Sequence, residues 1–209
     1  MPETYWWSMI LGFAGSFAGT IPFGPINMTV VGVTLKKGAK AAWVVSIAAA
    51  LVEILQSSLA FWGGKMLVEM LERSPFFQLG LFLLFLLLAI SFWLKKPQVL
   101  SSRPIHGKMW PCFLRGLIVS LLNPQAIPFW VLVFSFYQMQ GWLFVEAASL
   151  FLLFTGVMLG KFACLGLYSF FSLVIVRRVH NLTLWMNKIL AVIFLAISLG
   201  AFGKYWSVV

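Results

Sequence analysis

Residues 76–94 read FFQLGLFLLFLLLAISFWL, a stretch without one charged residue and apolar on every face of a helix. Such a helix has no side to turn toward water and needs lipid or other helices around it. The hydrocarbon core of a bilayer takes about 20 apolar residues per crossing. Further windows of that kind at 6–35, 41–63, 112–137, 147–176 and 182–203 bring the expected spans to six. Composition agrees: 62% of the 209 residues are hydrophobic and 10% charged, too few charges to clothe a water-facing surface. The expected fold class is an all-α membrane protein with six transmembrane helices. The opening MPETYWW carries Glu3 and no lysine or arginine. It lacks the basic start of a secretory signal, so the first window is expected to be retained as a helix.

The net charge of +10 would suit nucleic acid, but its basic residues cluster between the apolar windows. Lys36, Lys37 and Lys40 fill the first gap. In the second, Lys65 and Arg73 are offset by Glu69 and Glu72. The third and longest gap holds Lys95, Lys96, Arg103 and Lys108, with Arg115 just beyond. The fourth has only Glu146, and Arg177, Arg178 and Lys188 follow around the fifth. The lysine and arginine bias makes loops one, three and five cytoplasmic and puts both termini outside. The expected partners are membrane lipid and a small-molecule substrate, with no nucleic acid; a homo-oligomer stays open. Cys112 and Cys164 are far apart and form no CxxC, so no disulfide framework or redox pair is expected. His106 and His180 lie in basic loops and read as solvated side chains. No metal site and no cofactor is expected.

The two halves of the chain echo each other. IPF occurs at 21–23 and 127–129, and LAIS at 88–91 and 195–198. Glu53 and Lys161 each stand midway along their span, and the three offsets are 106, 107 and 108. Three spans per copy make the second copy enter the membrane from the opposite side, the inverted repeat common in secondary transporters. The expected layout is one transmembrane domain over 1–209. Repeat one covers about 1–94, a basic cytoplasmic loop 95–111, and repeat two about 112–209.

Two spans carry their own interruption. TIPFGPINMTV, residues 20–30, sets Pro22 and Pro25 around Gly24, with Asn27 and Thr29 following. Proline lacks an amide donor and clashes with the carbonyl four residues back. Span one should therefore end one half-helix and start another at Pro25. Span four does the same in LLNPQAIPFW, where Asn123 is placed to cap a half-helix begun by Pro124, with Gln125 beside it. A half-helix that starts inside the membrane presents free amides and the positive end of its dipole, which suits a carboxylate. Matching breaks in two halves point to a midplane site. The candidate substrate-binding residues are Pro25, Asn27, Asn123, Pro124 and Gln125.

Glu53 shares a helical face with Ser46, Ala49, Ala50, Gln56, Ser57 and Ala60. Lys161 follows Gly156 and Gly160, a pair read chiefly as helix packing, with Cys164, Tyr168 and Ser172 along its side. Charges at this depth line a cavity or pair with each other. Two readings stand side by side: a buried ion pair that fixes the helices, and a coupling switch in which Glu53 holds and releases a proton while Lys161 balances it.

PFGPIN and NPQAIPFW, with GVTLKKGAKAAWVVSIAAALVE between them, resemble the LysE/RhtB family of amino-acid exporters over essentially the whole chain. Glu53 stands where many members carry an aspartate, and Gln125 replaces their more usual lysine. The resemblance implies a bacterial cytoplasmic (inner) membrane protein. It implies export of a small amino acid or related metabolite, driven by proton antiport, and not an enzyme. A passive channel and a divalent-cation exporter of the same superfamily are the rivals. The cation exporter would want several acidic residues or histidines in its spans, and this chain has no aspartate. A reporter fused after Val209 tests the orientation: periplasmic alkaline phosphatase is expected to be active there, and a cytoplasm-dependent fluorescent protein dark.

Overall fold

The computed structural model describes residues 2–22, 24–94, 108–123 and 125–208, with side chains given for all of these except 2–4, 65–73, 77, 176–187, 190, 204 and 207–208. Most of the expected basic loop 95–111 and all of Pro124 therefore lie outside the described residues. Eight helices and no strand occur among them: α1 Pro2–Thr20, α2 Pro25–Lys37, α3 Ala39–Arg73, α4 Pro75–Leu94, α5 Trp110–Leu121, α6 Ala126–Met139, α7 Ala147–Phe170 and α8 Ser172–Val208.

Both expected breaks are present. From Tyr5, α1 meets α2 at 78°, and α5 meets α6 at 61°. Two unbroken stretches, Ala39–Gly64 and Ala147–Phe170, are long and apolar enough to cross a membrane, and each bent pair makes a further candidate. The apolar stretches Gln78–Leu94 in α4 and Ala191–Gly203 in α8 are shorter.

Three boundaries differ from expectation. The second loop contracts to Ser74, because α3 runs on through Lys65, Glu69 and Glu72 to Arg73. That stretch has no proline, and Glu69 precedes Arg73 by four, the order that favours a helix. The fifth loop is helical too: α8 starts at Ser172 and carries Arg177 and Arg178 within it. Charged residues mark topology without ending a helix, and no glycine or proline occurs there before Gly200. Finally, α6 begins at Ala126 with Gln125 in the N-cap position, two residues later than the expected start at Pro124.

The chain forms two compact units, Met1–Trp62 with Leu100–Arg177, and Gly63–Val99 with Arg178–Val209. In the second, α4 and the C-terminal part of α8 run antiparallel, joined by Phe85, Ala89, Phe92, Ala191 and Phe194. Ser198 Oγ donates to the Phe82 carbonyl at 3.0 Å.

Glycines set the packing of the first unit. Added to Gly12, a Cβ would lie 2.0 Å from the Leu153 carbonyl oxygen; at Gly156 it would lie 2.1 Å from that of Met9, and at Gly160 2.4 Å from that of Phe13. The backbones of α1 and α7 touch, and since residue numbers rise together the helices are parallel. The Gly156–Gly160 pair thus acts in packing. A second parallel pair joins α3 to α5 and α6: Gly116 lies on Val45, Gln56 reaches Ser120, and Phe61 meets Phe134. Between the pairs, α3 and α7 run antiparallel from Trp43–Phe162 to Phe61–Phe154. Each interrupted helix therefore lies along the unbroken helix from the other half of the sequence.

The outward side of α3 carries Ile47, Leu51, Leu55 and Leu59, all exposed, while Ser46, Ala49, Ala50, Glu53, Gln56, Ser57 and Ala60 are buried. Large apolar side chains face out and small or polar ones in, as lipid solvation requires. Gly156→Leu is expected to force α1 from α7. Overpacking a core costs about 1–3 kcal/mol even where side chains can yield, and here backbone opposes it. The loss should show as a lower melting temperature and aggregated protein on size exclusion in detergent. Gly80→Ala, with nothing within 4 Å of the added methyl, is the expected neutral control.

Candidate functional site

Two apolar clusters fill the first unit. One gathers Ile26, Val30, Val45, Ala49, Cys112 and Leu165, the other Leu11, Ala60, Trp130, Phe134, Leu153 and Val157. On α3, Glu53 falls between Ala49 and Ala60; on α7, Lys161 falls between Val157 and Leu165. The two charges thus occupy the seam between clusters, 4% and 8% exposed.

They meet there. Lys161 Nζ lies 3.5 Å from Glu53 Oε2. Ser16 Oγ donates to the same oxygen at 2.8 Å, and the Trp130 indole N–H donates to Oε1 at 3.3 Å. Ser16 and Trp130 are both fully buried. One carboxylate therefore joins four helices: α1 through Ser16, α3 through itself, α6 through Trp130 and α7 through Lys161. A buried ion pair must recover several kcal/mol of lost hydration per ion, which requires hydrogen bonds beyond the pair itself. The serine hydroxyl and indole supply them. One turn along α3, Gln56 Nε2 donates to the Ser120 carbonyl at 2.9 Å, answering an acceptor in the last turn of α5.

At the first break the freed carbonyls are accounted for. Asn27, buried at the start of α2, donates its two amide hydrogens to Thr20 O at 2.7 Å and Pro22 O at 3.0 Å. The Tyr168 hydroxyl donates to Ile21 O. Pro25 takes the first-turn position, where a missing amide costs least. Asn27 is thus committed to bridging the interruption, and the backbone amides beginning α2 have no side-chain cap at Gly24. Thr29 bonds back to the Pro25 carbonyl at 2.9 Å.

The second break is less satisfied. Asn123 Oδ1 accepts from the Gln125 backbone amide at 3.4 Å, a local turn contact, and α6 has no side-chain cap. Among the described residues, Gln125 Nε2 and Ser120 Oγ are buried without a hydrogen-bond partner. Such groups mark a place for water or a ligand acceptor. The breaks approach one another across Gly19, where a Cβ would lie 2.4 Å from the Phe129 ring, one turn past Gln125.

Of the sequence-selected residues, Glu53 and Lys161 are in contact, Asn27 and Pro25 build the first break, and Asn123 and Gln125 flank the second. Pro124 is outside the described residues. Ser16 and Trp130 were missed. A signal existed for Ser16, since Gly12, Gly15, Ser16, Gly19 and Thr20 form a small-residue face on α1. Trp130 had none, being one aromatic among many. Among the described residues, no three His, Cys, Asp or Glu side chains stand close enough to hold a metal ion.

Breaking a buried pair from one side costs about 3–5 kcal/mol, and replacing both partners costs much less. Lys161→Met alone is accordingly expected to lower thermal stability more than Glu53→Gln/Lys161→Met together. Melting curves of the single and double variants in one detergent check this, and additive losses would contradict it.

The family model described as LysE type translocator matches residues 17–202. No curated protein and no solved structure gives a significant match.

Proposed function

This chain belongs to the LysE type translocator family, a family of membrane transporters, and from that premise we propose that it exports a small amino acid or related metabolite across the bacterial cytoplasmic membrane by proton antiport. The observation that carries the reading is the four-helix junction on Glu53. Its carboxylate is the common acceptor for a residue on each interrupted span and for the buried Lys161 ammonium.

The proposed layout is six spans in two inverted repeats, with α1–α2 and α5–α6 as spans one and four, and both termini outside. The crossed packing supports it: α1 lies parallel to α7, and α5–α6 lie parallel to α3, as two copies related by an in-plane axis would.

The mechanism follows from the charges. With Glu53 ionised, Lys161, Ser16 and Trp130 all hold to it, and α1, α6 and α7 are drawn onto α3. A proton on Glu53 removes the negative charge and leaves the Lys161 ammonium without its counter-ion in an apolar seam. That arrangement is costly enough to favour another one. Substrate and proton take turns: the ionised pair accompanies the loaded carrier outward, and a proton taken from outside accompanies the return and leaves to the cytoplasm. The substrate carboxylate is met by the uncapped amides of α2 and by Gln125, whose side-chain donor has no protein acceptor among the described residues. A strongly cationic substrate is disfavoured by Lys161.

Proteoliposomes loaded with labelled amino acids, under an imposed pH gradient, test this. Flux is expected to saturate and to follow the gradient. Glu53→Gln should lower gradient-driven flux about tenfold or more, the equivalent of about 1.4 kcal/mol or more in the barrier. Parental, still proton-coupled flux in that variant would overturn the role of Glu53. Non-saturating flux indifferent to the gradient would indicate a passive channel.

A further inference from the structure

Beside the first break lies a groove of about 330 Å³, walled by Phe17, Ile21, Leu167, Phe171 and Ile175, with Cys164 and Tyr168 completing it. Binding sites for small molecules share this character, apolar walls with a few polar groups converging on them. Two features tie the groove to the charged seam. Cys164 and Tyr168 follow Lys161 by three and seven residues, so all three lie on one face of α7. Tyr168 also bonds the Ile21 carbonyl freed by the break. A lipid acyl chain would need neither polar group, whereas a molecule with a charged head and an apolar side chain matches both ends.

We propose that this groove receives the side chain of the exported molecule, and that the substrate is an aliphatic or aromatic amino acid rather than a small polar or cationic one. The proposal rests on the exporter reading above and adds the selectivity of the same site. The charged end of the substrate points toward the break and Lys161, and the apolar end lies between Leu167, Phe171 and Ile175.

The native thiol supplies a test. Cys164 is buried in the groove wall, and the other cysteine, Cys112, does not line the groove but lies in the apolar cluster against which Tyr168 packs. In reconstituted Cys112→Ser protein, alkylation of Cys164 by N-ethylmaleimide is followed alongside efflux from the same vesicles. L-leucine or L-phenylalanine is expected to slow alkylation severalfold and saturably, with L-serine and L-lysine without effect. Leu167→Trp, which fills the groove, should raise the half-saturating concentration for L-leucine efflux about tenfold, with little change in maximal rate. That comparison decides the matter if the thiol proves unreactive.

Protection by dodecyl detergent or phospholipid alone, with none by leucine or phenylalanine, would overturn the proposal in favour of a lipid groove. Preferred efflux of serine or lysine, or a Leu167→Trp variant equal to the parent, would overturn it as well. These outcomes leave amino-acid export standing. Absence of gradient-driven efflux for every amino acid would remove the exporter reading and the groove proposal with it.

Discussion

A carboxylate inside an apolar bundle has to find within the protein what water would otherwise give it. Glu53 finds three donors, each from a different helix, and the geometry of the first unit is organised around that requirement. Hydrogen bonds to a charged acceptor are about twice as strong as neutral ones, and removing their acceptor strands several groups at once. The junction is therefore strong while the charge persists and weak when it is gone. An interior of leucine and alanine alone would hold the helices together under both conditions. The polar seam between two dry clusters ties the arrangement to one charged group and its partners.

The interruptions answer a related problem in the backbone. Proline frees carbonyls that lipid cannot solvate, and the protein meets them with side chains from elsewhere: Asn27 for Thr20 and Pro22, Tyr168 for Ile21, Gln56 for Ser120. The Asn27 and Tyr168 contacts close the first break, while the second, though Gln56 meets the Ser120 carbonyl, keeps Gln125 Nε2 and Ser120 Oγ with unmet hydrogen-bonding capacity. The two breaks, of similar sequence, are thus satisfied to different degrees. The first fixes the angle between α1 and α2. The second retains polar groups able to meet something that is not protein.

Much of this was legible in the sequence for physical reasons. Proline chemistry is local, so PFGPIN and NPQAIPFW disclosed both breaks. A charge halfway along an apolar window has few acceptable surroundings, so Glu53 and Lys161 stood out, while their contact became visible only in the fold. The small-residue face of α3 could be read from spacing alone. Other features depend on neighbours distant in the chain. A serine on α1 and a tryptophan on α6 become carboxylate ligands only because α1 lies on α7 and α6 on α3. Loops were harder to place than spans, because charge density marks where a chain leaves the membrane without saying whether the helix continues. Hence α3 and α8 run through segments that their lysines, arginines and glutamates suggested were turns. At Gly38 a φ of +82° lets α2 turn into α3 through a single residue.

The crossed arrangement of the helices bears on how such a chain is made. The glycine face of α1 rests on α7, yet more than a hundred residues must leave the ribosome after Thr20 before Ala147 appears. Until then α1 enters the bilayer with its closest neighbour unborn, and its notches at Gly12, Gly15 and Gly19 can be filled only by lipid or by a temporary companion. Insertion and final assembly are thereby separated in time. The contacts that bring Trp130 and Lys161 to Glu53 can form only long after that carboxylate and Ser16 have been synthesised.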